Sequence, residues 1–487
     1  MFKNINCKNL PNLRRNIVYQ FLYELLIVFI PLFTIPYVSR VLGAENIGLF
    51  SYTYAVANYF VLFANLGIKN YGSRTIAMVR NNKEELNRNF SEILSIHIIF
   101  SIIVIFVYLV LLFFFVEDNL VIFLIQSIYV FAAVFDINWF FFGIEKFKLT
   151  VGRNTLVKIL SVFLVLVFVK TQTDLWIYAL ILALSVFVGQ SVVWFALKQY
   201  VSWRRPSWAN MKQHIRPLFV LFLPILALSL YKYMDKIMLG SISSNVQVGF
   251  YENAEKIINV PMSLIMAFGV VLMPRIANMV TSKDKGEVFK LIDMSMEAVM
   301  LLAIAISFGL AGISFVLAPI FFGYEFEECG ILIMGLAVTV PFMAFANVIR
   351  TQYLIPYKED KIFVVSLFLG AAVNLIVNII LIPYMAARGA VIGTIFAEII
   401  VCIYQSYFVR KKIFIKKYLL NTIPPILIGI VMFVFVFQIG NVMNINIVTL
   451  ILQLLVGMFI YAVGVFLLML KSRTRLMVLL RKFVVRY

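Results

Sequence analysis

The sequence predicts an all-α polytopic membrane protein with about fourteen transmembrane helices, arranged as two six-helix lobes related by an internal repeat plus two C-terminal helices. Three observations predict it. Of 487 residues, 63% are hydrophobic and only 13% are charged, and a mean hydropathy of +0.98 leaves too little polar surface for a water-soluble chain. Apolar runs of roughly 20 residues, the length that crosses a bilayer as a helix, recur along the chain between short polar breaks. A motif is also doubled: Gly48 to Arg74 and Gly249 to Arg275 each span 26 residues. Leu42-Gly43 precedes the first copy and Leu239-Gly240 the second. Gly48-Leu49-Phe50 pairs with Gly249-Phe250-Tyr251, and Arg74-Thr75-Ile76-Ala77 with Arg275-Ile276-Ala277. Both copies read as one helix pair repeated in parallel. No strand-period alternation of the barrel kind is present.

Taken in order, the first six spans are expected near 16–38, 48–70, 91–116, 120–143, 154–170 and 175–198. The next six are expected near 217–241, 249–273, 289–318, 329–354, 362–383 and 389–409, and the last two near 420–439 and 447–470. Residues 1–215 then form an N-terminal lobe with a central loop, 216–410 a C-terminal lobe, and 411–487 the two extra spans with a basic tail. Lys and Arg fall in alternate connections: the leader from Lys3 to Arg15, then 74–88, 146–153, 204–216, 275–290, 358–361, 410–417 and the tail from Lys471 to Arg486. The intervening loops are nearly free of Lys and Arg, and Glu117-Asp118 and the stretch with Glu325, Glu327 and Glu328 carry no basic residue. Positive loops stay on the cytoplasmic side, so both termini are expected there.

That distribution also explains the net charge of +19. The charge flanks spans and faces anionic lipid headgroups, so membrane lipids rather than nucleic acid are the expected partners. The tail reads either as an interfacial segment or as a stop-transfer flank. No cleavable signal is expected, because the first apolar run is long and followed by many others. Cys7, Cys329 and Cys402 lack any CxxC spacing and read as packing residues. His97 and His214, the only histidines, give neither a metal set nor a Ser-His-Asp pattern; His97 is expected to be a satisfied packing residue and His214 to lie in the basic central loop. No phosphate-binding loop occurs, so the chain is not expected to be an ATPase or to carry a cofactor. The aromatic runs, such as Trp139-Phe140-Phe141-Phe142, read as lipid-facing surface, and the prolines at 31, 36, 224, 261, 341 and 383 as kink sites.

Ionisable residues inside spans are expensive in hydrocarbon and mark cavities or partners. The densest group lies in spans seven and eight. Lys232 and Lys236 are four apart and share a helix face, with Asp235 nearby; Glu252 and Lys256 repeat the spacing, with Glu255 beside them. By rise per residue both groups fall in the outer half of the membrane. Lysines there suit a phosphate or diphosphate, and the acids suit a proton or sodium ion, while the structural alternative is a set of internal ion pairs that hold two helices in register. Weaker candidates are Glu24, Arg40, Lys69, Asp136, Glu297 and Glu398. Snorkelling accounts for Arg40 and Lys69 as well as ligand binding does, whereas Glu24 and Asp136 are too short to reach an interface.

Ser39-Arg40-Val41-Leu42-Gly43, Asn46-Ile47-Gly48-Leu49-Phe50 and Asn65-Leu66-Gly67 resemble the opening of Wzx-type polysaccharide flippases. In the second half, Asp235-Lys236-Ile237-Met238-Leu239-Gly240, Val248-Gly249-Phe250-Tyr251 and Ala254-Glu255-Lys256 resemble the second-lobe hairpin of the same family. The family belongs to the multidrug, oligosaccharidyl-lipid and polysaccharide exporter superfamily. The resemblance implies two lobes around a central cavity in a bacterial inner membrane. It also implies movement of an undecaprenyl-diphosphate-linked oligosaccharide, such as an O-antigen unit, from the cytoplasmic to the periplasmic leaflet by alternating access, with no covalent change. A polymerase and a chain-length regulator are the protein partners it implies. On this reading Lys232, Lys236 and Lys256, with Arg40 and Lys69 from the first lobe, contact the diphosphate. Asp235, Glu255, Glu252, Glu24 and Asp136 serve as ion-coupling or cavity acids. The rival readings are a cation-coupled drug antiporter of the same superfamily, whose cavity would favour acids over lysines, and a membrane polymerase or glycosyltransferase, for which no Asp-x-Asp motif is present.

Overall fold

A computed structural model describes the backbone of residues 10–281, 285–471 and 476, with side chains from Ile30 onward except those of residues 147, 148, 231, 270, 281, 285 and 471. Cys7, most of the basic tail and the side chain of Glu24 lie outside the described residues. Within them the chain forms sixteen α-helices and no strand. It divides into two compact units, one ending at Ser229 and the other starting at Leu230.

In the first unit, α1 (Leu10–Asn65) is too long to run straight: 56 helical residues would reach about 84 Å, well over twice the roughly 30 Å of bilayer hydrocarbon. The break comes at Gly43 (φ 76°, ψ 173°), a left-handed conformation that a residue without Cβ adopts at little cost. A second break at Leu66 and Gly67 starts α2 (Ile68–Val79). A Cβ on Gly67 would sit 2.9 Å from the carbonyl oxygen of Leu218, so glycine is required there by both conformation and space. Asn82 caps α3 (Lys83–Phe115) by accepting hydrogen bonds from the backbone N–H of Glu84 (3.1 Å) and Glu85 (3.3 Å), satisfying two of the donors a helix start leaves open.

The expected span 120–143 is two helices, α4 (Leu120–Val134) and α5 (Asn138–Gly143). That break changes the reading of Trp139-Phe140-Phe141-Phe142 as lipid-facing surface. Trp139, Phe140 and Phe141 are buried, with Phe90 stacked on Trp139 at a centroid distance of 5.6 Å. Gly72 makes the room, since a Cβ on it would fall 2.5 Å from the Trp139 ring. The unit continues with α6 (Phe147–Phe168), then α7 (Leu175–Leu197) behind a Thr171–Asp174 capping box, and enters α8 (Trp208–Ile242).

The second unit holds the end of α8, then α9 (Asn245–Thr281), α10 (Lys285–Phe322), α11 (Cys329–Ala337) and α12 (Thr339–Ile349). A π-helical turn at Arg350–Leu354 leads on to α13 (Asp360–Met385), α14 (Ala387–Val409), α15 (Ile415–Val442) and α16 (Ile447–Lys471). α10, α15 and α16 share a core around Ile304, Ile313, Met432, Val436 and Tyr461. The two copies of the repeated motif differ locally: the first is interrupted at Gly67 before Arg74, whereas the second runs unbroken through α9 to Arg275. Among the described residues thirteen segments are long and apolar enough to cross a membrane. The first, Ile30–Val79, contains the Gly43 and Gly67 breaks, and each of the rest overlaps one expected span.

Candidate functional site

Asp235 and Lys236 are neighbours on α8 and therefore point about 100° apart, which sends them to different sets of partners. Lys236, only 7% exposed, turns to α9. Its Nζ lies 2.5 Å from Glu252 Oε2 and 2.8 Å from Glu255 Oε2. Glu252 Oε1 in turn lies 3.1 Å from the Nζ of Lys256, one helical turn on. Two lysines and two glutamates thus form a neutral set in which Lys236 alone holds two carboxylates. The binding and the structural readings of these residues both start from this geometry.

Asp235, 4% exposed, joins a separate network. It accepts hydrogen bonds from Tyr251 Oη on α9 (2.6 Å), Asn378 Nδ2 on α13 (2.5 Å) and Thr394 Oγ1 on α14 (3.0 Å). The Tyr251 and Thr394 hydroxyls lie 2.8 Å apart, so either can donate to the other instead of to Asp235. The Oδ1 of Asn378 is buried with no hydrogen-bond partner among the described residues. Gly393 permits this close approach of α14 to α13, because a Cβ there would collide with Asn378 Oδ1. Carboxylate, carboxamide and hydroxyl oxygens are hard donors, suited to a proton or an alkali cation rather than to a transition metal. Among the described residues no group of three or more His, Cys, Asp or Glu side chains is placed to hold a metal.

The remaining candidates are dispersed. Lys232 is exposed, with its Nζ 5.5 Å from the Tyr233 ring centroid, and it does not join the Lys236 set. Arg40 on α1 and Lys69 on α2 are exposed in the first unit. Asp136 sits in the α4–α5 break and accepts from the backbone N–H of Asn138 (3.0 Å) and from its Nδ2 (2.7 Å). Glu398 is buried on α14 within electrostatic reach of Arg350, and Glu297 lines a small cavity with Tyr418. Glu24 lies outside the described side chains.

Several polar groups escaped the reading of the sequence. His214 is in α8 rather than in a loop, and it is buried between Tyr71 Oη (2.6 Å from Nδ1) and Glu92 Oε2 (2.9 Å from Nε2). His97 is not satisfied as expected: it is fully buried in α3, and neither ring nitrogen has a hydrogen-bond partner among the described residues. Asn138 relays Asp136 to Arg153, accepting from Arg153 Nη2 at 3.1 Å while donating to Gln190 Oε1 at 2.8 Å. Paired Lys and Glu announce themselves by spacing, whereas Asn378, Thr394 and Asn138 carry no such signal.

The sequence profile described as "Polysaccharide biosynthesis protein" matches residues 13–280. A protein of Shigella dysenteriae provisionally named an O-antigen transporter is 24% identical over 408 residues, covering 81% of this chain and 99% of the relative. Its counterpart of the same name in Escherichia coli (strain K12) is 26% identical over 411 residues, covering 83% and 98%. Among solved structures, the lipid II flippase MurJ in an inward closed conformation superposes with a TM-score of 0.74 at 15% identity, over 93% of this chain and 98% of that one. An inward-facing multidrug resistance MATE family transporter gives 0.60 at 14% identity, over 80% and 97%. The two structural likenesses establish the fold: the helical architecture read from the sequence is shared with these two transporters.

Proposed function

The chain belongs to the polysaccharide biosynthesis protein family, and from that premise we propose that it is a flippase for an undecaprenyl-diphosphate-linked oligosaccharide. It would carry O-antigen or related repeat units from the cytoplasmic to the periplasmic leaflet of a bacterial inner membrane by alternating access. The names of the Shigella and Escherichia relatives support the cargo class, and the alternating basic loops support cytoplasmic termini.

The observation that carries the reading is the Lys236–Glu252–Glu255–Lys256 set, built on the buried ammonium of Lys236. Moving a diphosphate and sugar hydroxyls through hydrocarbon requires that protein groups replace their hydration. In the state described, both lysines are held by carboxylates. Protonating Glu252 and Glu255 would release Lys236 and Lys256 to the diphosphate, and losing those protons would restore the ion pairs and expel it. Such a cycle takes up and releases protons together with cargo, without changing a covalent bond. Asp235, ringed by three donors, is the third acid in our scheme, where a proton or sodium ion biases the conformational equilibrium.

Leaflet-specific detection of lipid-linked oligosaccharide in cells depleted of the protein tests this reading. Cargo should accumulate on the cytoplasmic leaflet and be cleared by wild type but not by Lys236→Ala or Lys256→Ala at matched abundance. Normal periplasmic delivery without the protein, in cells with no redundant transporter, would refute the flippase reading and direct attention to antiport assays.

A further inference from the structure

The first unit contains a cavity of about 330 Å³ that no candidate above occupies, lined by α1, α4, α6 and α7. Arg153 and Lys158 of α6 both reach it. Counted from the start of α6, Lys158 stands about 16 Å along a helix of about 33 Å, halfway through the membrane rather than at a basic edge. Among the described residues no carboxylate lies within ion-pair distance of Lys158. A mid-membrane ammonium with no carboxylate beside it faces a cavity or a ligand. Arg153 differs in that it donates to Asn138, which donates in turn to Asp136, so a carboxylate stands one side chain away from its guanidinium. Two cations and no carboxylate stand among the residues that line the cavity.

The rest of the wall is built for hydroxyls and for flat apolar faces. The carboxamide of Gln190 is oriented by Asn138 at 2.8 Å, and Tyr54 packs edge-on against Tyr129 with centroids 5.1 Å apart. Aromatic rings offer faces to the C–H side of a sugar, carboxamides match its hydroxyl pairs, and the cations take an anion. At the small end of the range for ligand pockets, the volume suits one sugar residue rather than a whole repeat unit. We propose that this cavity is a binding subsite for a single anionic saccharide residue, with Lys158 and Arg153 on its carboxylate or phosphate and Gln190, Tyr54 and Tyr129 on the ring. This deepens the transport reading, on which it rests for the nature of the cargo.

The test is a binding titration on purified full-length protein in nanodiscs, using glucuronate, glucose 1-phosphate, neutral glucose and inorganic phosphate as probes. Wild type should bind at least one of the two anionic sugars about tenfold or more tightly than glucose, and Lys158→Gln should remove that preference, as expected for one lost charge-assisted hydrogen bond. The unfolding midpoint of Lys158→Gln should match wild type, which separates lost binding from lost folding. Tighter binding of glucuronate assigns the anion to the sugar itself, and tighter binding of glucose 1-phosphate assigns it to the phosphate linkage. The subsite is overturned if wild type does not discriminate anionic from neutral sugar, if inorganic phosphate binds as tightly as either sugar, or if Lys158→Gln binds like wild type. Leaflet transport measured in parallel separates the two readings. Binding without flipping retains the subsite and refutes the flippase, whereas flipping without anionic-sugar binding does the reverse.

Discussion

Replacing Lys236 with Met should expose how the second unit tolerates charge. The substitution keeps length and apolar volume but removes the cation shared by Glu252 and Glu255, whose side chains are 14% and 23% exposed against 8% for the lysine. Removing one member of a buried ion pair costs about 3–5 kcal/mol. Here Glu252 keeps Lys256 at 3.1 Å, so the loss falls mainly on Glu255, and about 2–3 kcal/mol is expected. Unfolding by SDS titration in mixed micelles measures it. Adding Glu255→Gln to the Met variant removes the stranded charge and should return about 1 kcal/mol or more, a coupling that a double-mutant cycle reads directly. A single variant within about 0.5 kcal/mol of wild type, or a double variant less stable than the single, would refute the argument that these groups neutralise one another.

Three further outcomes follow from the same geometry. Gly67→Ala forces a side chain into a left-handed conformation (φ 72°) with its Cβ 2.9 Å from the Leu218 carbonyl oxygen, and should lower the unfolding free energy by about 1–3 kcal/mol in the same titration. Glu92→Ala leaves buried His214 without its carboxylate partner and should cost about 1–3 kcal/mol, with Glu92→Gln costing less because its amide oxygen still accepts. Asp235→Asn retains an acceptor for Tyr251 or Thr394 and should fold within about 1–2 kcal/mol of wild type, yet leaflet transport should no longer respond to collapse of the ion gradient. A response equal to wild type would remove Asp235 from the coupling scheme.

The spans were legible because hydrocarbon imposes one rule on every crossing, and that rule is written in composition. The lysine–glutamate set was legible for a related reason: Glu252 and Lys256 advertise their pairing by a four-residue spacing, and an acid within a span demands a partner. What the sequence hid was direction. Asp235 lies one residue from Lys236, and only the rotation of α8 shows that it serves α13 and α14, through Asn378 and Thr394 more than 140 residues away. Trp139 to Phe141 resemble any lipid-facing run. Their burial depends on a helix break at Asp136 and on the space left by Gly72, and neither fact is local to the aromatic run. Arg153 read as loop charge because α6 begins earlier than the expected boundary at 154, which puts Arg153 inside the helix and at the cavity wall.

The two units handle intramembrane charge by opposite rules, and each rule has a functional consequence. In the second unit every lysine of the Lys236 set is matched by glutamate, so an anion binds there only by displacing a carboxylate, and affinity falls or rises with the protonation of those acids. In the first unit the Lys158 cavity has no carboxylate to displace among its lining residues, so an anion binds without proton exchange. The first arrangement can be driven by a gradient, whereas the second can only select. Binding of glucose 1-phosphate at the first-unit cavity should therefore change little between pH 6.5 and pH 8 beyond the titration of the phosphate itself, whose second pKa is near 6. An affinity that instead tracked a protein carboxylate across that window would place a displaceable acid at the cavity and assign both units to coupling.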